Sequence, residues 1–226
     1  MNKAWAVAKV NFKMTTWVAY LVAAIWAVAM IADMILVACL NNQSDSMVSY
    51  SMFYLVCVLA PILIASVNYS KLMNLGVKKK TYFWGAAINY VVFAAAVAAL
   101  GTVEYYIVDL PYVQKETGNK LLNIIGVFGW DSSFVSAFFS QFAFLLLIES
   151  VLHTLTFMQT KWYGWAAVIL IVAVISVFTP IAVLRQVEAF FFEMIIFSAP
   201  VLQVFICLSL AVLFYATNLF YLKKRI

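Results

Sequence analysis

Long apolar segments separated by short polar breaks constrain this sequence more than any other feature. They cover residues 17–40, 47–67, 82–107, 134–158, 162–179 and 201–221. A transmembrane helix needs about 20 consecutive, mostly apolar residues. Because 67% of the 226 residues are hydrophobic and 10% are charged, no soluble core could bury this much apolar surface. The sequence therefore predicts an all-α polytopic membrane protein in which six transmembrane helices form a single permease domain over residues 1–226.

Two segments beside these spans have a different character. Residues 2–16 carry Lys3, Lys9 and Lys13 among apolar residues, with two of the lysines on one helical stripe. This pattern predicts an N-terminal interfacial helix whose lysines face anionic lipid, the alternative being an extension of the first span. The segment from Pro180 to Pro200 mixes charged and aromatic residues between prolines. It predicts a re-entrant helical hairpin, one or two short helices that enter the outer leaflet and return.

The distribution of basic residues predicts how the chain is oriented. Of the 14 Lys and Arg residues, eleven fall in the N-terminal segment, the second break, the turn at Lys161 and the C-terminal tail. Only three fall on the opposite side. Since basic residues are enriched in cytoplasmic loops, both termini and the second break are expected in the cytoplasm.

The second break, Tyr69–Gly85, is the most conspicuous hydrophilic stretch. It holds four of the 14 basic residues, and we interpret it as a surface that contacts another protein. The chain has no GxxxxGK[ST] loop, so it does not bind ATP phosphates by itself. Its single histidine argues against a multi-histidine zinc site, so no metal is expected. No serine, cysteine or paired-carboxylate arrangement suggests catalysis, and we expect a non-catalytic subunit.

Four ionisable residues inside the predicted spans are further candidates. Asp33 and Glu104 lie toward the outer ends of their spans, where they could line a translocation path or be paired locally. Glu149 and His153 are four residues apart and share a helix face, so they form a possible polar pair. The pair could relay protons, or it could be satisfied locally or face a wet cavity.

The stretch from Lys71 to Phe83 resembles the coupling-helix pattern of the type-2 ABC exporter permeases. It has an apolar pair, a turn residue (often proline in the family, Gly76 here), basic residues and an aromatic residue that opens the next span. The predicted interfacial helix, six spans with both ends inside and re-entrant hairpin are also similar to that family. The short chain and the small segment between spans five and six look most like the permeases that export phenol-soluble modulins from Gram-positive bacteria.

The resemblance implies a multi-pass protein of the bacterial cell membrane that acts as a homodimer or pairs with a close paralogue. Two cytoplasmic ABC ATPase subunits would bind ATP and Mg²⁺, and this chain would hold no cofactor. The cargo would be an amphipathic peptide or another hydrophobic molecule. A short cytoplasmic coupling helix between spans two and three would contact the ATPase through Lys71, Leu72, Met73, Asn74, Leu75, Gly76, Val77 and Lys78.

Two alternatives remain open on the residues themselves. An intramembrane enzyme could use Glu149 and His153. A secondary transporter would work without any ATPase, although its two halves should then show a repeat symmetry that the sequence does not display.

Overall fold

The computed structural model describes residues 3–40, 53–110, 124–197 and 199–224. Every regular element in these ranges is helical, which confirms the all-α prediction for the part of the chain that is described. The α-helices are α1 (Lys3–Leu40), α2 (Tyr54–Leu63), α3 (Tyr69–Asn74), α4 (Lys79–Glu104), α5 (Ile124–Val127), α6 (Phe134–Met158), α7 (Trp162–Phe178), α8 (Ala182–Phe192) and α9 (Pro200–Lys224). Three π-helical segments follow α2, α4 and α8 and cover Ile64–Asn68, Tyr105–Asp109 and Glu193–Phe197.

Helix α6 is the centre of the bundle and packs against α2, α4, α7 and α9. Cross-helix hydrogen bonds fix the directions of its neighbours, and they join Tyr90 to His153, Thr102 to Gln141, Gln203 to Ser140, and Asn218 to Thr154. Helix α4 therefore runs antiparallel to α6, whereas α9 runs parallel to it. These relative directions are those expected for successive membrane crossings.

Four helices are long and apolar enough to cross a membrane: Tyr54–Asn74, Lys79–Ile107, Phe134–Met158 and Pro200–Leu219. They correspond to the predicted spans two, three, four and six. The predicted fifth span is an apolar helix of 17 residues, α7, which rises only about 25 Å against a hydrocarbon core of about 30 Å. These helices are thus compatible with a membrane protein, while the count of six spans stays a prediction.

The N-terminal segment differs from the separate interfacial helix that was predicted. Helix α1 is continuous over 38 residues, from Lys3 to Leu40, and so takes the form of the alternative, an extension of the first span. The physical reason is that residues 3–40 contain no glycine or proline to end a helix. The beginning of α1 also packs along α4, where the Phe12 and Phe93 rings stack with centroids 5.6 Å apart.

The segment between α7 and α9 is helical, in line with one short helix in the predicted hairpin. Helix α8 packs against α7, and the π-helical segment after it packs against α9. Trp130, which follows α5, is buried against this segment and donates a 2.9 Å hydrogen bond from its indole Nε1 to the Ile196 carbonyl. Re-entry of the hairpin into a membrane stays a prediction.

Candidate functional site

The basic stretch predicted to contact another protein forms a tight turn between two long helices. Helix α2 continues through the π-helical segment into α3, which ends at Asn74, and α4 begins at Lys79. The Gly76 N–H donates to the Met73 carbonyl (2.9 Å) and the Val77 N–H to the Leu72 carbonyl (3.1 Å). With Gly76 at a φ of 77°, these bonds form a Schellman motif, which satisfies carbonyls at the helix end.

This geometry corrects the predicted coupling helix. Within the predicted contact stretch from Lys71 to Lys78, only residues 71–74 are helical, and they form the end of a longer helix rather than a separate short one. The reason is that no glycine or proline lies between Pro61 and Gly76, while Lys78 already has an extended backbone that leads into α4. The two predicted spans are therefore joined by a turn of Leu75 to Lys78.

The exposed apolar surface of the turn is smaller than the sequence suggested. The predicted ATPase-contacting stretch contains four apolar residues, Leu72, Met73, Leu75 and Val77. Leu72 is instead 2% exposed and belongs to the main core, and the side chains of Met73 and Val77 pack against that core. Leu75 alone projects, with 78% of its surface exposed.

Polar and basic side chains surround Leu75 at the tip of the hairpin. The exposed residues on both sides of it are Ser70, Lys71, Asn74, Gly76, Lys78 and Lys80. We call Lys71–Lys80 the basic tip. The basic tip thus offers one exposed leucine side chain among exposed lysines, on a turn whose backbone is held by its own hydrogen bonds.

A cross-helix hydrogen bond holds the two arms of this hairpin together. The π-helical geometry leaves the Ile64 carbonyl to accept from the Tyr69 N–H, and the Tyr82 hydroxyl of α4 donates to the same oxygen at 2.7 Å. The Tyr69 and Tyr82 rings also meet edge to face with centroids 5.0 Å apart. Since both rings are buried, movement of the tip should move α3 and the beginning of α4 together.

Glu149 and His153 do not form the pair that their spacing allowed. Both side chains are buried in the bundle, but they face different helices. The Glu149 carboxylate interacts with the Cys57 thiol of α2, and neither carboxylate oxygen makes a hydrogen bond of normal geometry with the described residues. The His153 Nδ1 is hydrogen-bonded to the Tyr90 hydroxyl of α4 at 2.5 Å.

His153 stands inside an aromatic cage that the sequence analysis missed. The cage residues are Tyr82, Tyr90, Phe157 and Tyr215, whose ring centroids lie between 5.1 and 6.4 Å from that of the imidazole. Tyrosines inside apolar segments were the available signal, because a buried tyrosine hydroxyl usually has a hydrogen-bond partner. The His153 side chain is 1% exposed within this cage.

A second buried polar layer lies toward the other end of α6. The Gln141 side chain is hydrogen-bonded to the Tyr54 hydroxyl of α2, and its Oε1 accepts from the Thr102 hydroxyl of α4 at 3.2 Å. The first polar layer consists of Glu149, Cys57, His153 and Tyr90, and both layers join α2, α4 and α6. Together the two layers give the α2–α4–α6 interface a polar interior. Exposure of these side chains to lipid hydrocarbon would be unfavourable, whereas hydrogen bonds between helices stabilise their association.

The two predicted outer acids are not brought into one described site. Glu104 ends α4 with a half-buried side chain. Asp33 lies on α1, and its side chain is outside the described part of the structure. A translocation path through these two residues stays a prediction. In the described residues, no group of three or more His, Cys, Asp or Glu side chains could hold a metal ion.

Comparison with known proteins gives no family for this chain. No protein-family model, no curated protein and no solved structure matches it. The functional interpretation therefore rests on the geometry of the basic tip and the buried polar layers.

Proposed function

We propose that this chain is the membrane subunit of an ATP-driven exporter and that the basic tip contacts a separate ATPase subunit. The observation that carries the proposal is Leu75, an apolar side chain that projects among lysines from a rigid turn. A single exposed leucine with a basic rim fits a partner groove that is apolar inside and acidic outside. The lysines would speed and orient the encounter, and Leu75 would supply the buried contact.

The proposal includes the arrangement that the sequence resemblance implies. The chain would cross a bacterial cell membrane six times, with both termini and the basic tip in the cytoplasm. It would pair with a second permease copy and two ABC ATPase subunits that bind ATP and Mg²⁺. Its cargo would be an amphipathic peptide or another hydrophobic molecule.

Coupling would use the hydrogen-bonded hairpin as a lever. Closure of an ATPase pair would displace the basic tip, and the bond between Tyr82 and Ile64 would transmit the displacement to α2 and α4 at once. Both helices pack against α6, so the motion would reach the two buried polar layers. Interfaces of this kind switch between discrete packings rather than deforming continuously.

The test compares the wild-type chain with a Leu75→Asp variant for co-purification of a P-loop ATPase from cells that express the chain. Because Leu75 is exposed, the variant should fold normally, whereas the ATPase should no longer co-purify and cargo-stimulated ATP hydrolysis should fall at least tenfold. Trp162→Asp is the matched control, since Trp162 is 81% exposed at the turn between α6 and α7. Leu75→Met should keep both properties.

Two results would contradict the proposal. One is an unchanged ATPase yield and an unchanged hydrolysis rate in the Leu75→Asp variant. The other is equal loss in Leu75→Asp and Trp162→Asp, because the effect would then not belong to the basic tip.

A proton-linked secondary transporter is the second candidate, and Glu149 favours it. An ionisable side chain buried inside a span usually marks an ion or proton route. The Glu149 carboxylate is fully buried and lacks a normal hydrogen bond to the described residues. Transport into liposomes that is driven by a pH gradient without ATP, and is abolished by Glu149→Gln, would support this candidate over the exporter.

A further inference from the structure

An apolar groove on the outer surface of the bundle lies between α4 and α9, with α6 as its floor. Its cavity volume is about 320 Å³, within the range of small-ligand sites. The wall from α4 includes Trp84, Ala87 and Val91, and the wall from α9 includes Val212 and Leu219. Trp84, Val91 and Val212 are all exposed, so the groove opens to the surroundings of the bundle.

The polar side chains in the groove are already engaged inside the protein. The Tyr90 hydroxyl is hydrogen-bonded to His153, and the Tyr215 hydroxyl donates to the Phe83 carbonyl at 2.7 Å. The Ser150 hydroxyl donates to the Leu146 carbonyl at 2.8 Å. The groove is therefore suited to a hydrocarbon chain and not to a polar ligand.

Both walls of the groove lead to a lysine at the same end of the bundle. Lys80 is four residues before Trp84 and lies on the same face of α4, with its side chain exposed. Lys223 occupies the position one helical turn after Leu219 on α9. Because α4 runs antiparallel to α6 and α9 runs parallel to it, α4 and α9 are antiparallel, and both lysine positions fall at one end.

The dimensions of the groove match one leaflet of a bilayer. From Lys80 to Val91, α4 rises about 16 Å, and half of the hydrocarbon core is about 15 Å. Trp84 is 54% exposed one turn inside Lys80, which is where tryptophans sit at the membrane interface. The apolar part of the groove is thus long enough for one acyl chain. Positive charge lies at the level where the headgroup of that lipid would be.

We propose that this groove binds an anionic phospholipid, with an acyl chain along Trp84, Ala87 and Val91 and the phosphate at Lys80. The proposal requires that the chain lies in a membrane, but it does not depend on the export function. Charge complementarity selects this occupant over a second protein helix, because the exposed Lys80 lies one helical turn beyond the groove lining, which itself carries no charged residue. Each lysine near the headgroups would favour an anionic lipid about fivefold over a zwitterionic one.

The test is quenching of tryptophan fluorescence in proteoliposomes that contain brominated phosphatidylglycerol or brominated phosphatidylcholine at equal mole fraction. The difference in quenching between the wild-type chain and Trp84→Phe gives the contribution of Trp84, which lines the groove. We expect the phosphatidylglycerol form to quench this component more strongly, with an apparent preference of at least fivefold. Lys80→Glu should reduce the preference at least fivefold, whereas Lys161→Glu, an exposed lysine at the α6–α7 turn, should leave it unchanged.

A steric variant tests the acyl-chain part independently. Ala216→Phe would fill the groove from α9 and should weaken quenching of Trp84 by both lipids at least threefold. Ala96→Phe, on the opposite face of α4, is its control. Equal quenching by the two lipids would overturn the proposal for an anionic ligand. Failure of Ala216→Phe to weaken quenching, or no quenching of Trp84 by either lipid, would overturn the groove as a lipid site.

Discussion

The Tyr82 hydroxyl donates a 2.7 Å hydrogen bond to the Ile64 carbonyl and so ties the two arms of the tip hairpin together. That carbonyl also accepts from the Tyr69 N–H, because the helix widens into a π-helical segment at Ile64, three residues after Pro61. Pi-helical turns of this kind recur at functional sites. The bond makes the basic tip a rigid extension of two helices rather than a loose loop.

Replacing Tyr82 with phenylalanine should separate stability from coupling. The variant loses one buried hydrogen bond, which should lower the free energy of unfolding by about 1 kcal/mol. The ATPase should still bind, since Leu75 is untouched, but cargo-stimulated ATP hydrolysis should fall because the arms no longer move as one. Denaturant titration in detergent and ATPase assays in nanodiscs measure the two effects. Tyr20→Phe, at an exposed tyrosine of α1, should change neither quantity.

Gly76 gives a second way to perturb the basic tip. Its φ of 77° lies in the left-handed region, which costs a residue with a Cβ about 1–2 kcal/mol. Gly76→Ala should therefore lower stability by about that amount and also weaken ATPase binding, while Gly76→Asn should be milder. Gly129 has a φ of 68° and equally open surroundings outside the tip, so Gly129→Ala is a matched control for strain alone. Weaker ATPase binding in both variants would show that the effect is general instability.

The turn illustrates how much of the site could be read from the sequence. A glycine followed by lysines between two apolar segments indicated the turn, and the structure places a Schellman motif there. The burial of Leu72 could not be predicted, because it depends on how α3 packs against the rest of the bundle. The partners of Glu149 and His153 could not be predicted for the same reason. Spacing put them on one helix face, but only the packing of α2 and α4 decided that each has a different partner.

Helix α1 is continuous where the sequence was expected to contain a boundary. Its three lysines suggested a boundary near Thr16, yet charge alone does not end a helix, and the chain stays helical through that position. The sequence signal that mattered was the absence of glycine and proline before Leu40. Packing of Phe12 on Phe93 then places the lysine-bearing part of α1 beside α4.

Two buried asparagines at the α1–α4 interface should respond in opposite ways to substitution. Asn89 donates from Nδ2 to the Ala8 carbonyl at 3.0 Å, whereas neither amide atom of the Asn11 side chain has a hydrogen bond to the described residues. Asn11→Leu should raise the free energy of unfolding by about 1 kcal/mol, because it removes a buried polar group without a partner. Asn89→Leu should lower it by about 1–3 kcal/mol. Unfolding in detergent measures both, and destabilisation by Asn11→Leu would indicate that its amide has a partner within the full assembly.

The bond between Tyr90 and His153 predicts a pairwise effect that neither single variant reveals. Tyr90→Phe leaves the imidazole without its 2.5 Å partner, and His153→Phe keeps a ring in the aromatic cage but strands the Tyr90 hydroxyl. Each should cost about 1–3 kcal/mol, because a buried polar group is left unsatisfied. The double variant removes both polar groups, so it should be more stable than the sum of the single effects predicts, with a coupling energy of about 0.5–3 kcal/mol.

Tyr20→Phe combined with His153→Phe should be additive and serves as the distant control. If the exporter proposal holds, the double variant keeps ATP-dependent transport, whereas an intramembrane enzyme that used His153 would lose its activity. Additive effects of Tyr90→Phe and His153→Phe would mean that the two side chains do not interact in the folded protein.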